Sequence, residues 1–118
     1  MARDSESVLV RVGLAADLEE GGRALRFECA PGVPAFAVRF HGRIHAWVNR
    51  CPHQRTELDW EPGEVFSADG HHLVCASHGA HFEPDSGRCV AGPCRGAALQ
   101  DLVLEERDGE LSYRRATR

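Results

Sequence analysis

Two short segments combine residue types that commonly bind metal ions. Cys51-Pro52-His53 places a thiol and an imidazole two positions apart, and Cys75-Ala76-Ser77-His78 places them three positions apart. The twenty-one residues from Gln54 to Val74 separate the segments, which is enough chain to leave one loop and return beside it. Each segment is short enough to lie on one tight loop. The pattern therefore predicts a four-ligand metal site built in two halves.

Two thiolates and two imidazoles leave two kinds of site open. Thiolates suit zinc and iron–sulfur clusters, whereas imidazole suits iron, zinc and copper. Structural zinc sites usually pair Cys with Cys and His with His, as C-x₂₋₄-C followed by H-x₃₋₅-H. Here each half mixes one Cys with one His, as C-x-H and C-x-x-H, so both loops can give Cys to one iron and His to the other. The spacing favours a two-iron, two-sulfide cluster, with structural zinc as the alternative.

These motifs resemble the ligand motifs of the Rieske iron–sulfur family. The resemblance rests on the four candidate ligands and the glycine that follows the second histidine: Cys51, His53, Cys75, His78 and Gly79. It continues through Phe82, the turn Asp85-Ser86-Gly87 and the segment Gly92-Pro93, which looks like the family's proline-containing third loop. It covers roughly residues 8 to 115, which is nearly the whole chain.

The resemblance implies one Rieske-type [2Fe–2S] cluster. Cys51 and Cys75 would bind a buried iron, and His53 and His78 would bind an outer iron. Because two neutral imidazoles replace two anionic thiolates, such a cluster has a higher potential than an all-Cys cluster. Outer imidazoles at the surface would let an electron pass to a docked partner.

Residues beside the ligands separate the branches of this family. High-potential Rieske proteins of respiratory complexes carry a Ser and a Tyr hydroxyl near the cluster, and a disulfide between the ligand loops. The matching hydroxyl positions here are Ala80 and Phe82, and the matching cysteine positions are Thr56 and Ser77. The resemblance therefore implies the low-potential ferredoxin and oxygenase branch.

Length and charge set limits on the organisation and partners of the chain. The 118 residues predict a single domain over 1–118, with ligand loops at about 50–57 and 75–82 and a proline loop at about 91–96. A net charge of −4 argues against a nucleic-acid partner. No apolar run approaches the ~18 residues of a membrane span. The polar segment 1–7 has no export signal, so the expected location is cytoplasmic.

The remaining cysteines and aromatic residues receive structural predictions. Cys29, Cys89 and Cys94 are predicted to be small buried hydrophobic residues, because a reducing cytosol disfavours structural disulfides. A bridge between Cys89 and Cys94 stays open, since four residues separate them. Trp47 and Trp60 are predicted to pack in the core or over the cluster. His81 is expected to lie beside the site without binding metal.

The pattern along the chain predicts an all-β fold. Short segments rich in β-branched residues or alternating apolar and polar residues are separated by Gly, Pro and Asp turns. Strands are predicted at residues 8–12, 24–29, 35–40, 44–49, 72–74, 88–90, 102–106 and 110–114. Residues 31–34 are predicted as a turn. The expected architecture is a small antiparallel β-sandwich or barrel, similar to a Rieske domain, with a two-loop cluster-binding subdomain.

The resemblance implies electron transfer without catalysis by this chain alone. Oxygenases with such clusters add a second domain whose mononuclear iron is held by two His and a carboxylate, and 118 residues leave no room for it. The predicted function is a Rieske-type ferredoxin, which carries one electron at a time between a reductase and a terminal oxygenase or other oxidoreductase. The alternatives are a small Rieske subunit of a multisubunit oxidoreductase, like nitrite reductase small subunits, and a zinc-stabilised interaction module.

Overall fold

The structure, a computed structural model, describes residues 7–52, 56–59, 61–77 and 79–116. Apart from one 3₁₀ turn at Ala15–Asp17, the regular elements in these ranges are β-strands. They are β1 (Ser7–Leu14), β2 (Leu25–Ala30), β3 (Val33–Phe40), β4 (Arg43–Val48), β5 (Leu73–Val74), β6 (His81–Phe82), β7 (Cys89–Ala91), β8 (Asp101–Leu102), β9 (Leu104–Arg107) and β10 (Glu110–Ala116).

The described strands form three antiparallel sheets. One sheet has the order β1-β10-β9, and a larger one has the order β2-β3-β4-β8. These two pack together through Val12 and Leu111 on one side and Ala37 and Ala46 on the other. The third sheet, β5-β6-β7, is small and carries the second predicted ligand loop. The prediction of an all-β antiparallel fold is confirmed.

Strand β3 is buried on both faces and divides the core in two. Residues 35–38 are fully buried. Because side chains alternate along a strand, Phe36 and Val38 belong to the core beneath the ligand loops, while Ala37 belongs to the core shared with the β1-β10-β9 sheet. This double burial explains why residues 35–40 read as an almost continuous apolar run.

The predicted β3–β4 hairpin is present, and its turn is shaped by two residues with positive φ. His41 has φ 52° and Gly42 has φ 76°, which matches the two-residue turns that favour hairpins. The carboxylate of Glu20 accepts hydrogen bonds from the backbone amides of both residues. These two amides lower the pKa of Glu20 below its ordinary value. The hairpin delivers the chain directly to Cys51.

Two of the predicted boundaries are wrong, for reasons that lie in strand pairing. Val33 and Pro34 were expected in a turn but belong to β3, where Pro34 stands opposite Glu28 of β2. Leu102 was expected in the last hairpin but lies in β8, opposite Ala46 of β4. Val103, which is 78% exposed, separates β8 from β9 and belongs to neither strand. Among the described residues, no helix is long and apolar enough to cross a membrane.

Candidate metal centre

Both candidate cysteine ligands are buried at the start of a tight loop. Cys51 follows β4 and is 2% exposed, and Cys75 follows β5 and is fully buried. The backbone amide of Cys51 donates to the carbonyl of Thr56 at 2.7 Å, and that of Cys75 donates to the carbonyl of Ala80 at 2.9 Å. Each loop thus turns back on itself and holds its thiol against one shared apolar core.

Backbone hydrogen bonds join the two loops to each other. The amide of Ala76, next to Cys75, donates to the carbonyl of Leu58 at 2.9 Å. The amide of Val74 donates to the carbonyl of Val65 at 2.8 Å. The second loop is therefore fixed against the segment that follows the first, and Cys51 and Cys75 belong to the same core.

A buried polar network fixes the segment that carries the first motif. Asn49 is 1% exposed and Asp59 is 9% exposed. The Nδ2 of Asn49 donates to Oδ1 of Asp59 at 2.9 Å, and its Oδ1 accepts from the amide of Leu58 at 2.8 Å. Oδ2 of Asp59 accepts from the amide of Gly63 at 2.8 Å and lies 3.4 Å from Nε of Arg26. These hydrogen bonds join Asn49, which precedes Cys51, to Leu58 and Asp59, which follow it.

The proline-containing third loop packs against both ligand loops. Gly92 has φ 99°, and a Cβ at this position would lie 2.8 Å from the Cα of Ala80, so only glycine fits without displacement. Sγ of Cys94 is 2.9 Å from Sγ of Cys89 and within hydrogen-bonding reach of the Cys51 sulfur. Burial, followed by the two neighbouring thiols, raises the pKa of Cys94 to about 12.

The positions beside the second loop carry no hydroxyl. Ala80 and Phe82 are both fully buried.

Trp47 is 4% exposed, and its Nε1 donates to the carbonyl of Pro84 at 3.3 Å, so its predicted place in the core is confirmed. Trp60 lies outside the described residues.

The histidine half of the predicted site falls outside the part of the chain that the structure describes. This applies to His53 and His78. His81 is described and half-buried, and its Nδ1 donates to the carbonyl of Gly79 at 2.7 Å. Its ring meets that of His72 edge to face, with centroids 5.6 Å apart. One nitrogen of His81 is thereby engaged with the backbone of the second loop.

The described parts of the second and third loops expose a set of small, uncharged residues. We call this set the loop tip, and it comprises Ala76, Ser77, Gly79, Gly92 and Pro93. Arg95 is also exposed on the third loop, where its guanidinium donates to the carbonyl of Val90. A partner protein that docks on the loop tip therefore meets small side chains, with one positive charge beside them.

Sequence reasoning missed two features of this centre. The Asn49–Asp59 network has one sequence signal, which is a polar residue at the end of the apolar strand β4. The contact of Cys94 with Cys51 has none, since it depends on how the third loop folds back. All five cysteines are buried and none forms a disulfide, so the prediction of buried residues is confirmed for Cys29, Cys89 and Cys94.

Comparison with known proteins gives one family and several relatives. The model of the Rieske [2Fe–2S] domain matches residues 8–106. The oxygenase component of chloroacetanilide N-alkylformylase from Rhizorhabdus wittichii is 36% identical over 62 residues, which is 52% of this chain and 16% of that protein. The chain thus spans about a sixth of the length of that curated relative.

Solved structures share the fold at lower sequence identity. A chain in the complex of reduced oxygenase and oxidised ferredoxin in carbazole 1,9a-dioxygenase has a TM-score of 0.72 and 23% identity, over 93% of this chain and 94% of that chain. The ferredoxin of carbazole 1,9a-dioxygenase from Nocardioides aromaticivorans IC177 has a TM-score of 0.70 and 24% identity, over 90% of this chain and 96% of that chain. At these identities the likeness establishes the fold.

Proposed function

This chain belongs to the Rieske [2Fe–2S] domain family, and we propose that it is a low-potential ferredoxin, which carries one electron at a time between a reductase and an oxygenase or another oxidoreductase. The cofactor of the family is a Rieske-type [2Fe–2S] cluster. A bound cluster of this type supplies one-electron chemistry. The residues of the chain must hold it, keep water from its sulfur ligands and present it to partners.

The described residues suit this cofactor. Cys51 and Cys75 offer two thiols, which are soft ligands for iron, and both are almost fully buried in one core. We infer that these two cysteines bind one iron and that His53 and His78 bind the other. Zinc in the same four ligands is the alternative, and membership of the Rieske family counts against it.

The observation that carries the ferredoxin proposal is the extent of the structural match. The fold corresponds to the carbazole 1,9a-dioxygenase ferredoxin of Nocardioides aromaticivorans over 96% of that chain. The buried cysteine pair shares one core with Ala80 and Cys94 of the second and third loops. The exposed loop tip on the same two loops gives a redox partner a surface to dock on.

Electron delivery tests this proposal directly. Holoprotein should be reduced by an NADH-dependent flavoprotein reductase and should then reduce cytochrome c, at a rate proportional to its own concentration. Apoprotein serves as the control. If the holoprotein is isolated from its native cells only in a stoichiometric complex with a larger subunit, and transfers no electrons when free, the small-subunit alternative replaces the ferredoxin.

The reduction potential should lie toward the lower end of the Rieske range of about −150 to +300 mV. The reason is that Ala80 and Phe82 are buried beside the second loop and have no hydroxyl to donate to the cluster sulfurs. A spectroelectrochemical titration of the holoprotein measures it. Ala80→Ser should raise the potential, whereas Ala68→Ser at an exposed turn should leave it unchanged. A midpoint near the top of the range would contradict this prediction.

We also propose a cytoplasmic location. None of the five cysteines forms a disulfide in the structure. Cysteines without disulfides are typical of proteins in a reducing compartment.

A further inference from the structure

Cys89 and Cys94 form a pair of adjacent thiols in the same core as Cys51. They are 5% and 7% exposed. Their Sγ atoms are 2.9 Å apart, and Cys94 also reaches the sulfur of Cys51. A disulfide needs the sulfurs at about 2.05 Å. The two sulfurs therefore have to close by only about 1 Å to form a bond.

The backbone already holds the two cysteines in place. The amide of Cys89 donates to the carbonyl of Ala97 at 2.9 Å, and the amide of Ala97 donates to the carbonyl of Cys94 at 2.9 Å. Both cysteines are thus fixed to Ala97 across a short loop. The same loop is anchored to the second ligand loop by the close contact of Gly92 with Ala80.

We propose that Cys89 and Cys94 are a reversible dithiol–disulfide site whose state tunes the cluster through Cys51. The inference rests on the proposed role of Cys51 as an iron ligand. In the dithiol state, the S–H of Cys94 donates to the Cys89 sulfur, and the Cys51 sulfur lies within reach of the same S–H as a second acceptor. The disulfide has no S–H, so this donor is lost. Because hydrogen bonds to cluster sulfurs raise the potential, the disulfide form has the lower potential.

The oxidation balances with a peroxide as the two-electron oxidant. One cysteine sulfur attacks hydrogen peroxide, the O–O bond breaks, and a sulfenic acid and one water result. The second sulfur then attacks the sulfenic sulfur, the S–S bond forms, the S–O bond breaks, and a second water leaves with both remaining protons. Two thiols and one peroxide give one disulfide and two waters. An external dithiol such as dithiothreitol reverses the reaction by thiol–disulfide exchange.

Mass spectrometry can measure the oxidation state of Cys89 and Cys94 separately from that of the other cysteines. Arg88 and Arg95 flank the segment, so trypsin releases residues 89–95 as one peptide that holds both thiols. Holoprotein is treated anaerobically with one equivalent of hydrogen peroxide. It is then denatured in the presence of iodoacetamide, which alkylates free thiols, and digested with trypsin. The peptide should resist alkylation and lack two hydrogens, and dithiothreitol should restore both. Cys29, which is equally buried on β2 and donates to the carbonyl of Val33, should remain alkylatable.

Two alanine variants separate the tuning effect from a packing effect, because their expected shifts differ. Cys89→Ala keeps the Cys94 donor and removes the sulfur that competes with Cys51 as its acceptor, so its midpoint potential should be no lower than that of the dithiol form and should not respond to peroxide. Cys94→Ala removes the donor, so its potential should match the lower value of the disulfide form without any oxidant. Cys29→Ala should behave as the unmodified protein. The EPR spectrum of each reduced variant verifies that the cluster is intact.

Several results would overturn this inference. Full alkylation of both cysteines after peroxide would rule out the disulfide. Equal potentials for Cys89→Ala, Cys94→Ala and Cys29→Ala, with intact clusters, would rule out the tuning. Failure of the proposed function looks different, because unmodified protein would then give no Rieske EPR signal at all, while the 89–95 peptide would still report on the disulfide.

Discussion

Serine in place of Cys75 should leave a folded protein without its cluster. The serine hydroxyl is a much poorer ligand than a thiolate for the iron of such a cluster, and Cys75 is fully buried, so no solvent ligand can replace it. We expect the visible absorption, the iron and the acid-labile sulfide all to fall to background. Cys51→Ser should do the same, because Cys51 opens the other loop.

Two further variants make this result specific. Cys29→Ser changes an equally buried cysteine outside the ligand loops and should retain the full cluster content. Cys51→Ser is also combined with Cys94→Ala, because Cys94 lies close enough to Cys51 to supply a substitute thiolate. Retention of a Rieske EPR signal in Cys75→Ser, or its loss in Cys29→Ser, would show that the ligand assignment is wrong.

Removing the carboxylate of Asp59 should cause the largest loss of stability among changes that touch no proposed ligand. Asp59→Ala leaves the Nδ2 of Asn49 and the amide of Gly63 without their acceptor, and it removes a partner of Arg26. Unsatisfied buried groups of this kind cost about 3 kcal/mol of the free energy of unfolding. Urea unfolding of the holoprotein, followed by circular dichroism, measures this loss.

The same substitution at an exposed aspartate provides the control. Asp69 accepts from the hydroxyl of Ser67 at 2.6 Å and from the amide of His71 at 3.0 Å, but it is solvent-exposed. Asp69→Ala should therefore cost far less than Asp59→Ala. Asp59→Ala should also speed the loss of cluster, because the network holds the segment that carries Cys51. Similar unfolding midpoints for the two variants would refute the structural role given to Asp59.

Local chemistry explains which parts of the fold the sequence predicts. The β3–β4 hairpin follows from two short apolar segments around Gly42, and the buried cysteines follow from the two Cys-plus-His motifs. Long-range pairing is not visible in this way. The alternation in residues 102–106 is compatible with the last hairpin, and only the place of Leu102 opposite Ala46 assigns it to β8.

The centre shows the same division between local and long-range information. The motifs predict four ligands, of which the structure describes Cys51 and Cys75, while His53 and His78 stay predictions. Cys94 is forty-three positions from Cys51, and nothing in the intervening composition indicates that their sulfurs meet. That contact arises because Gly92 allows the third loop to pack directly on the second.

The most direct test of the central claim is low-temperature EPR of the holoprotein before and after reduction with dithionite, with metal and sulfide counted on the same sample. We predict about two irons and two sulfides per chain, and a signal that appears only on reduction, with a mean g value below that of an all-Cys cluster. A colourless, EPR-silent protein that contains zinc, after anaerobic preparation, would contradict the cluster and with it the electron-transfer function.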